Sequence, residues 1–399
     1  MRKFLKKLTN NYNFIICFTF LSSQLLSVRF FFTSKYIYYD RFFSWIIYTL
    51  LSSSFLFIII KNKKILFIFT HRYTFRLLIF IFFSLLLILY PIADSQKFIG
   101  MGIDQDDCII NFIENLKQKK FPYSLTYLGN PCSTGVIELF FYFPILFWKN
   151  YFSIIPIFSL IIFYNMIKVL TNHINATLFT IFQLTNLLFL EMSSAGSDFI
   201  LIAVCYPLGL FLAYEGFNKS KDNLLSFALI FLSFFYGSRI ILFFLLPLNF
   251  FLFYVKFGSR VLKLFLFIFL FVFFSYLIPW VINPEMFTPF HLLKKGLYLI
   301  SFIKYYVLIF LLMLFIIFNI IDLKKKFFIY IKNNVILLNL FCYIFPIFFI
   351  SFSDLIETNL PSKWEGLNYF LLIIPSIYFS INLYFSNLFK INKQFFNKL

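Results

Sequence analysis

The sequence predicts an all-α, polytopic membrane protein, and three observations carry that expectation. Of its 399 residues, 61% are hydrophobic, 24% aromatic and only 13% charged, a balance that cannot coat a soluble surface with charge. Apolar runs close to the ~20 residues needed to cross a bilayer recur from one end of the chain to the other. No stretch between them is long enough for a separate soluble domain, so residues 1–399 read as a single multi-pass transmembrane domain with one large loop over 94–150. Soluble dinucleotide-binding enzymes, nucleic-acid binders and secreted disulfide scaffolds are excluded. The 68 Phe against 11 Gly read as the codon bias of an AT-rich genome. The net charge of +19 takes its meaning from its placement around the spans, not from a nucleic-acid partner.

Eleven or twelve transmembrane helices are expected. The first, Phe14–Leu26, follows Arg2, Lys3, Lys6 and Lys7 without a small-residue cleavage site, and reads as an uncleaved span rather than a signal peptide. Phe42–Ile60, Leu77–Ala93, Tyr151–Leu170, Ala176–Leu190, Phe199–Tyr214, Leu262–Val281, Tyr305–Ile321, Asn334–Ile350 and Tyr369–Phe385 have the length and apolarity of spans. Leu224–Val255 is too long for one helix and is interrupted at Gly237, Ser238 and Arg239, which predicts two short helices meeting at a tight turn. Val136–Trp148, with Glu138 inside and Pro144 near its end, is too short to cross ~30 Å of hydrocarbon and reads as an interfacial helix. A rival count makes that segment a span and fuses Leu224–Val255. Lysine and arginine in the 61–76 loop, at Lys324–Lys326 and in the tail orient both termini toward the cytoplasm and residues 94–135 outside, as expected for a bacterial plasma (inner) membrane protein.

Acids concentrate on the outer segments, most densely in Gly102-Ile103-Asp104-Gln105-Asp106-Asp107. Three carboxylates within four residues repel one another, which is tolerable in a solvated turn before a helix, where the dipole favours Asp. The arrangement becomes useful when a divalent cation, a polarised hydroxyl or a cationic partner occupies the gap. The following Cys108–Leu116 has the pattern of an amphipathic helix lying on the membrane.

After this come Asn115-Leu116-Lys117-Gln118-Lys119-Lys120-Phe121-Pro122-Tyr123 and Gly129-Asn130-Pro131, leading into the Val136–Trp148 segment. In order and placement these pieces resemble the start of the polytopic GT-C superfamily glycosyltransferases, in which an acidic motif opens the first large outer loop. Ser194-Ala195-Gly196-Ser197-Asp198 and Gly237-Ser238-Arg239 followed by Leu246-Pro247 extend the resemblance, which covers about residues 77–255. Two features depart from the family pattern: two spans precede the one that would come first, and Gln105 follows the leading Asp.

The resemblance implies transfer of a sugar from a polyprenyl-phosphate donor to a hydroxyl of a glycan, lipid or protein acceptor at the outer face. A sugar hydroxyl needs a carboxylate to take its proton, and Asp104 is the first candidate general base. Asp106 and Asp107 are candidates to hold a divalent cation such as Mg or Mn or to steer the acceptor, and Asp198 to complete the carboxylate cluster. The leaving phosphate needs cations. Arg239 is the first candidate, because an ionisable residue at a broken apolar helix points to function, although an arginine snorkelling to the interface fits the same sequence. His291, Lys294 and Lys295 in one outer loop, and Lys363 and Trp364 in another, are further candidates for phosphate or sugar contact. Trp364 equally suits the interfacial aromatic belt.

His71, His173 and His291 are too scattered for a histidine-rich zinc site, and no Walker A motif is present. Cys108 and Cys132 share the outer loop, where an oxidising compartment permits a disulfide; spacing leaves the pairing open. Two alternatives stand beside the transferase. A polymerase of lipid-linked glycans would draw on outer arginines for diphosphate, and besides Arg239 only Arg29 and Arg41 offer themselves. A lipid or glycan transporter (flippase) would show paired broken helices in two related halves, and the sequence shows one broken region.

Overall fold

The computed structural model describes residues 14, 16–33, 40–95, 105–291, 335–340, 343, 344, 347, 351 and 366–396. Among them the secondary structure is helical, with no strand and one isolated bridge between Leu125 and Pro131. Five helical stretches are long and apolar enough to cross a membrane, or up to six when one bent pair counts as a span. The expected span Tyr305–Ile321 and most of Asn334–Ile350 lie outside the described residues. Tertiary contacts divide the chain into two compact units. One comprises Met1–Gly102, Asn150–Val204 and Ile344–Leu399, and the other Ile103–Lys149 and Cys205–Tyr343.

The first unit contains α1 (Ile16–Phe32), α2 (Arg41–Lys61), α3 (Lys63–Phe69) and α4 (Arg72–Ser95). Short Asx side chains start several of its helices by taking up amide groups that the first turn leaves without partners. Asp40 accepts from Phe42 and Phe43 N–H ahead of α2, and Asn62 from Lys64 and Ile65 N–H ahead of α3. The unit continues with α7 (Ile154–Leu170), α8 (His173–Thr185) and α9 (Leu187–Ser194), and closes with α15 (Leu367–Phe396). Phe75 stacks on Tyr164 with ring centroids 3.8 Å apart, and Phe82 lies 5.8 Å from Phe189, tying α4 to α7 and α9.

The segment expected as one span over Ala176–Leu190 is two helices bent by 71° at Asn186. Asn186 begins α9 by accepting from Leu188 and Phe189 N–H, and its amide donates to the Ser23 carbonyl at 3.1 Å. Ser27 Oγ accepts from Leu187 N–H, and Gln24 donates to Thr185 Oγ1 at 3.2 Å. A break inside an apolar environment frees backbone groups that water cannot reach; Ser27 of α1 and Asn186 itself take up the amides, and Tyr48 of α2 donates to the Thr185 carbonyl. Periodicity misses this because the only local signal is a run of mildly polar residues, Gln183 to Asn186.

The second unit contains α5 (Gln105–Lys117), α6 (Val136–Phe141), the greater part of α10 (Phe199–Lys219), α11 (Asp222–Ser238), α12 (Ile240–Phe243), α13 (Leu246–Phe257) and α14 (Leu262–Ile282). Helices α10 and α11 pack closely because Gly209 and Gly216, seven residues apart, face Leu232 and Leu225. A Cβ on either glycine would approach its leucine to 2.7 Å. The interruption expected at Gly237-Ser238-Arg239 is present, with Arg239 extended at φ −140°, ψ 133° between α11 and α12. Val136–Trp148 is not one interfacial helix. Its α-helical part ends at Phe141, Pro144 lies in the short 3-10 turn Phe143–Leu146, and Glu138 is fully buried.

Asn186→Ala removes a helix cap and the bond to Ser23 together, with an expected loss of about 1–2 kcal/mol. Thermal unfolding of the detergent-solubilised protein, followed by circular dichroism, checks this. An unchanged midpoint would assign the break to Ser27 and Gln24 alone.

Candidate functional site

The acidic segment enters α5, whose first turn carries Asp106 and Asp107. Carboxylates are favoured there by the amide groups and the positive end of the helix dipole. The same helix presents Ile109, Phe112 and Ile113 at helical spacing as a buried stripe, with Glu114 and Lys117 exposed. Asp106 and Asp107 are 1% and 5% exposed, so neither belongs to the solvated turn that the sequence allowed.

The chain after α5 folds back onto it. Asn111 and Asn115 donate their side-chain amides to the Leu125 and Pro122 carbonyls at 3.0 and 3.1 Å. Asp107 Oδ2 accepts from Tyr127 N–H at 3.1 Å. A turn at Gly129, with φ +80°, returns the chain: Thr126 N–H donates to the Asn130 carbonyl at 2.9 Å, and Asn130 N–H donates to Thr126 Oγ1 at 3.0 Å. Cys108 and Cys132 are disulfide-bonded, their Cα atoms 5.4 Å apart across a separation of 24 residues. The bond ties the far end of the loop back to the first turn of α5 and restricts the unfolded ensemble.

From Cys132 the chain reaches Gly135, and here the loop meets the break between α11 and α12. Gly135 N–H donates to the Ser238 carbonyl at 2.8 Å, and Tyr276 Oη donates to the Gly237 carbonyl at 3.0 Å. The approach admits no side chain: a Cβ on Gly135 would fall 1.8 Å from the Gly237 oxygen, a backbone atom that cannot swing aside. One helical turn further, Glu138 Oε2 meets Arg239 Nη1 at 2.8 Å, with the two side chains 0% and 3% exposed. Arg239 Nη1 also donates to the Ser238 carbonyl at 2.9 Å. A charge pair removed so completely from water holds only through close geometry and added hydrogen bonds, and both are present.

Tyr123 completes the surroundings. Its hydroxyl donates to the Thr134 carbonyl at 3.1 Å, and its ring packs edge-on against Phe112 and Phe287. Burial pushes the phenol well above its ordinary range, the neighbouring Tyr276 and Glu138 push the same way, and Arg239 opposes them. Tyr123 is therefore a neutral donor at every physiological pH.

Arg239 is thus buried in an ion pair, which removes the snorkelling reading. Arg29 lies 3.2 Å from Glu191 in the first unit, and Arg41 donates to the Phe32 carbonyl. Asp198, in the first unit, is fully buried immediately before α10, its carbonyl accepting from Leu201 and Ile202 N–H. His291 is half-buried, with Nδ1 2.9 Å from the Thr288 carbonyl. Asp104, Lys294, Lys295, Lys363 and Trp364 lie outside the described residues. Sequence reasoning missed Glu138, Tyr123 and Tyr276 as members of this site. For Glu138 a signal existed: an acid in one apolar segment and an arginine interrupting another each need a partner of opposite charge.

Replacing either partner alone, Glu138→Leu or Arg239→Met, is expected to cost about 3–5 kcal/mol by leaving a buried charge uncompensated. The double variant Glu138→Leu, Arg239→Met should recover most of that loss. Unfolding of the detergent-solubilised proteins measures the cycle, and simple additivity would deny the coupling.

No protein-family model, curated protein or solved structure matches the chain.

Proposed function

We propose that the protein is a membrane-embedded glycosyltransferase that moves a sugar from a polyprenyl-phosphate donor to an acceptor hydroxyl, with the acidic segment as its catalytic edge. The observation that carries this reading is a pair of buried carboxylates, Asp106 and Asp107, in the first turn of a helix whose following loop is fixed by a disulfide and by the Gly135 contact. Fixed placement of acids beside apolar helices is what a reaction between a lipid carrier and a poor nucleophile needs.

In this reading Asp104, adjacent to the ordered helix, takes the proton of the acceptor hydroxyl. The hydroxyl oxygen forms the new bond to the sugar's anomeric carbon, the bond to the phosphate oxygen breaks, and polyprenyl phosphate leaves with its electron pair. Asp106 and Asp107 offer hard oxygen donors of the kind that suit Mg or Mn, one Asp107 oxygen already taking the Tyr127 N–H. Such an ion would supply charge stabilisation to the leaving phosphate. Because Glu138 already pairs with Arg239, the arginine is read as a positioning residue rather than a phosphate contact. That role passes to the lysines at 294 and 363.

The reading places the loop outside a bacterial plasma membrane. The disulfide supports this, since such bonds form and persist in oxidising compartments. A second reading, transport of a lipid-linked glycan, has one observation in its favour: each compact unit contains a helix break, at Asn186 in one and Arg239 in the other. Broken helices facing polar side chains are a feature of transporters. A reconstituted flipping assay with lipid-linked sugar separates the two, because a transporter moves its substrate without consuming it.

Two measurements test the proposal. Asp104→Asn is expected to lower the release of polyprenyl phosphate from polyprenyl-phosphate hexoses at least about 100-fold while insertion is unchanged. If the unaltered protein consumes no such donor, the transferase reading is lost; if the variant turns over normally, Asp104 is not the base. For orientation, Gln118→Cys places a thiol at an exposed position of the loop, and a membrane-impermeant maleimide should label it in intact cells. Labelling only after permeabilisation would put the loop in the cytosol.

A further inference from the structure

In the first unit α1 and α2 run antiparallel, with contacts near one end and a cleft between them near the other. At the end with contacts Trp45 Nε1 donates to the Leu25 carbonyl at 3.2 Å, and the Phe31 and Tyr48 rings lie 5.6 Å apart. Toward the opposite end a cleft of about 440 Å³ lies between the two helices. One wall is formed by Phe14, Cys17, Phe18 and Leu21, and the other by Leu50, Ser53, Ser54, Phe57 and Ile58.

Both walls follow helical spacing, so each is one continuous stripe. The α2 stripe continues to Lys61, eleven residues after Leu50, and Lys61 Nζ sits 5.7 Å from the Phe57 ring centroid at the cleft's open end. From Leu50 to Ile58 a helix rises about 12 Å, close to the ~15 Å of one bilayer leaflet, half of the ~30 Å core. The cleft therefore has the depth of a single leaflet and ends at a cation. The face is also one that packing leaves open, since α2 is only 17% buried over its apolar window, against 72% for Phe199–Lys219.

We propose that this cleft binds one anionic phospholipid, an acyl chain lying between α1 and α2 and the phosphate against Lys61. The apolar walls take the chain, which any phospholipid offers. The lysine selects the headgroup, because a cation at the interface favours net negative lipids over zwitterionic ones. The Phe57 ring holds the lysine stem along the groove and directs its ammonium toward the headgroup plane. This assignment is independent of the transferase reading.

Native mass spectrometry of the full chain, released from mild detergent after incubation with phosphatidylglycerol or phosphatidylcholine of equal chain length, tests it. Phosphatidylglycerol should be retained about fivefold better, the effect of one lysine near an anionic headgroup. Lys61→Gln should abolish that preference, and Lys168→Gln, at the end of α7, should leave it intact. Ser53→Phe, which fills the cleft, should lower retention of both lipids. Equal retention of the two lipids, a preference that survives Lys61→Gln, or displacement of phosphatidylglycerol by an equal concentration of polyprenyl phosphate would each overturn the proposal.

Discussion

The arrangement of the second unit depends on a buried charge pair. Glu138 and Arg239 arise in two different apolar segments, and neither is tolerable there without the other. Their meeting requires α11 to end at Ser238, Arg239 to adopt an extended backbone, and α6 to approach until Gly135 touches Gly237. From that contact the loop is fixed backward through Cys132 to α5, so the placement of Asp106 and Asp107 depends on the meeting of Glu138 and Arg239. Tyr123 and Tyr276 donate to the Thr134 and Gly237 carbonyls beside it.

The first unit meets its own helix break with neutral groups. The bend at Asn186 frees backbone amides inside an apolar packing, and serine and asparagine side chains meet them without introducing charge. Aromatic stacking between α4, α7 and α9 supplies the attachment of the peripheral helices. The two units thus use separate chemistry for the same requirement, that a helix interrupted in a nonpolar medium must find internal partners.

Much of the helical framework was legible in the residues, because bilayer-length apolar runs leave few alternatives at Arg41–Lys61, Arg72–Ser95 or Leu262–Ile282. The break at Arg239 was legible too, since glycine, serine and an arginine together interrupt an apolar run. The bend at Asn186 was not: a capping asparagine preceded by threonine and glutamine differs little from a polar face of a continuous helix. For the candidate site, composition located the acids but not their burial, which follows from how residues 118–135 fold over α5. Nor did spacing decide that Cys108 pairs with Cys132, a matter of distance between chain segments. Pairing Glu138 with Arg239 needed only a rule of charge balance, applied across segments instead of within them.

The ion pair also sets a timetable for the chain's birth. Its partners are 101 residues apart, and a ribosome adding about 5–20 residues per second needs roughly 5–20 s to make the second after the first. Through that interval the glutamate has no guanidinium to receive it and must stay hydrated or borrow a proton, while both cysteines are already made. Oxidation of the hairpin between them can therefore precede the docking of the arginine, and the nascent polypeptide reaches its last helices carrying a prefolded, covalently clasped element.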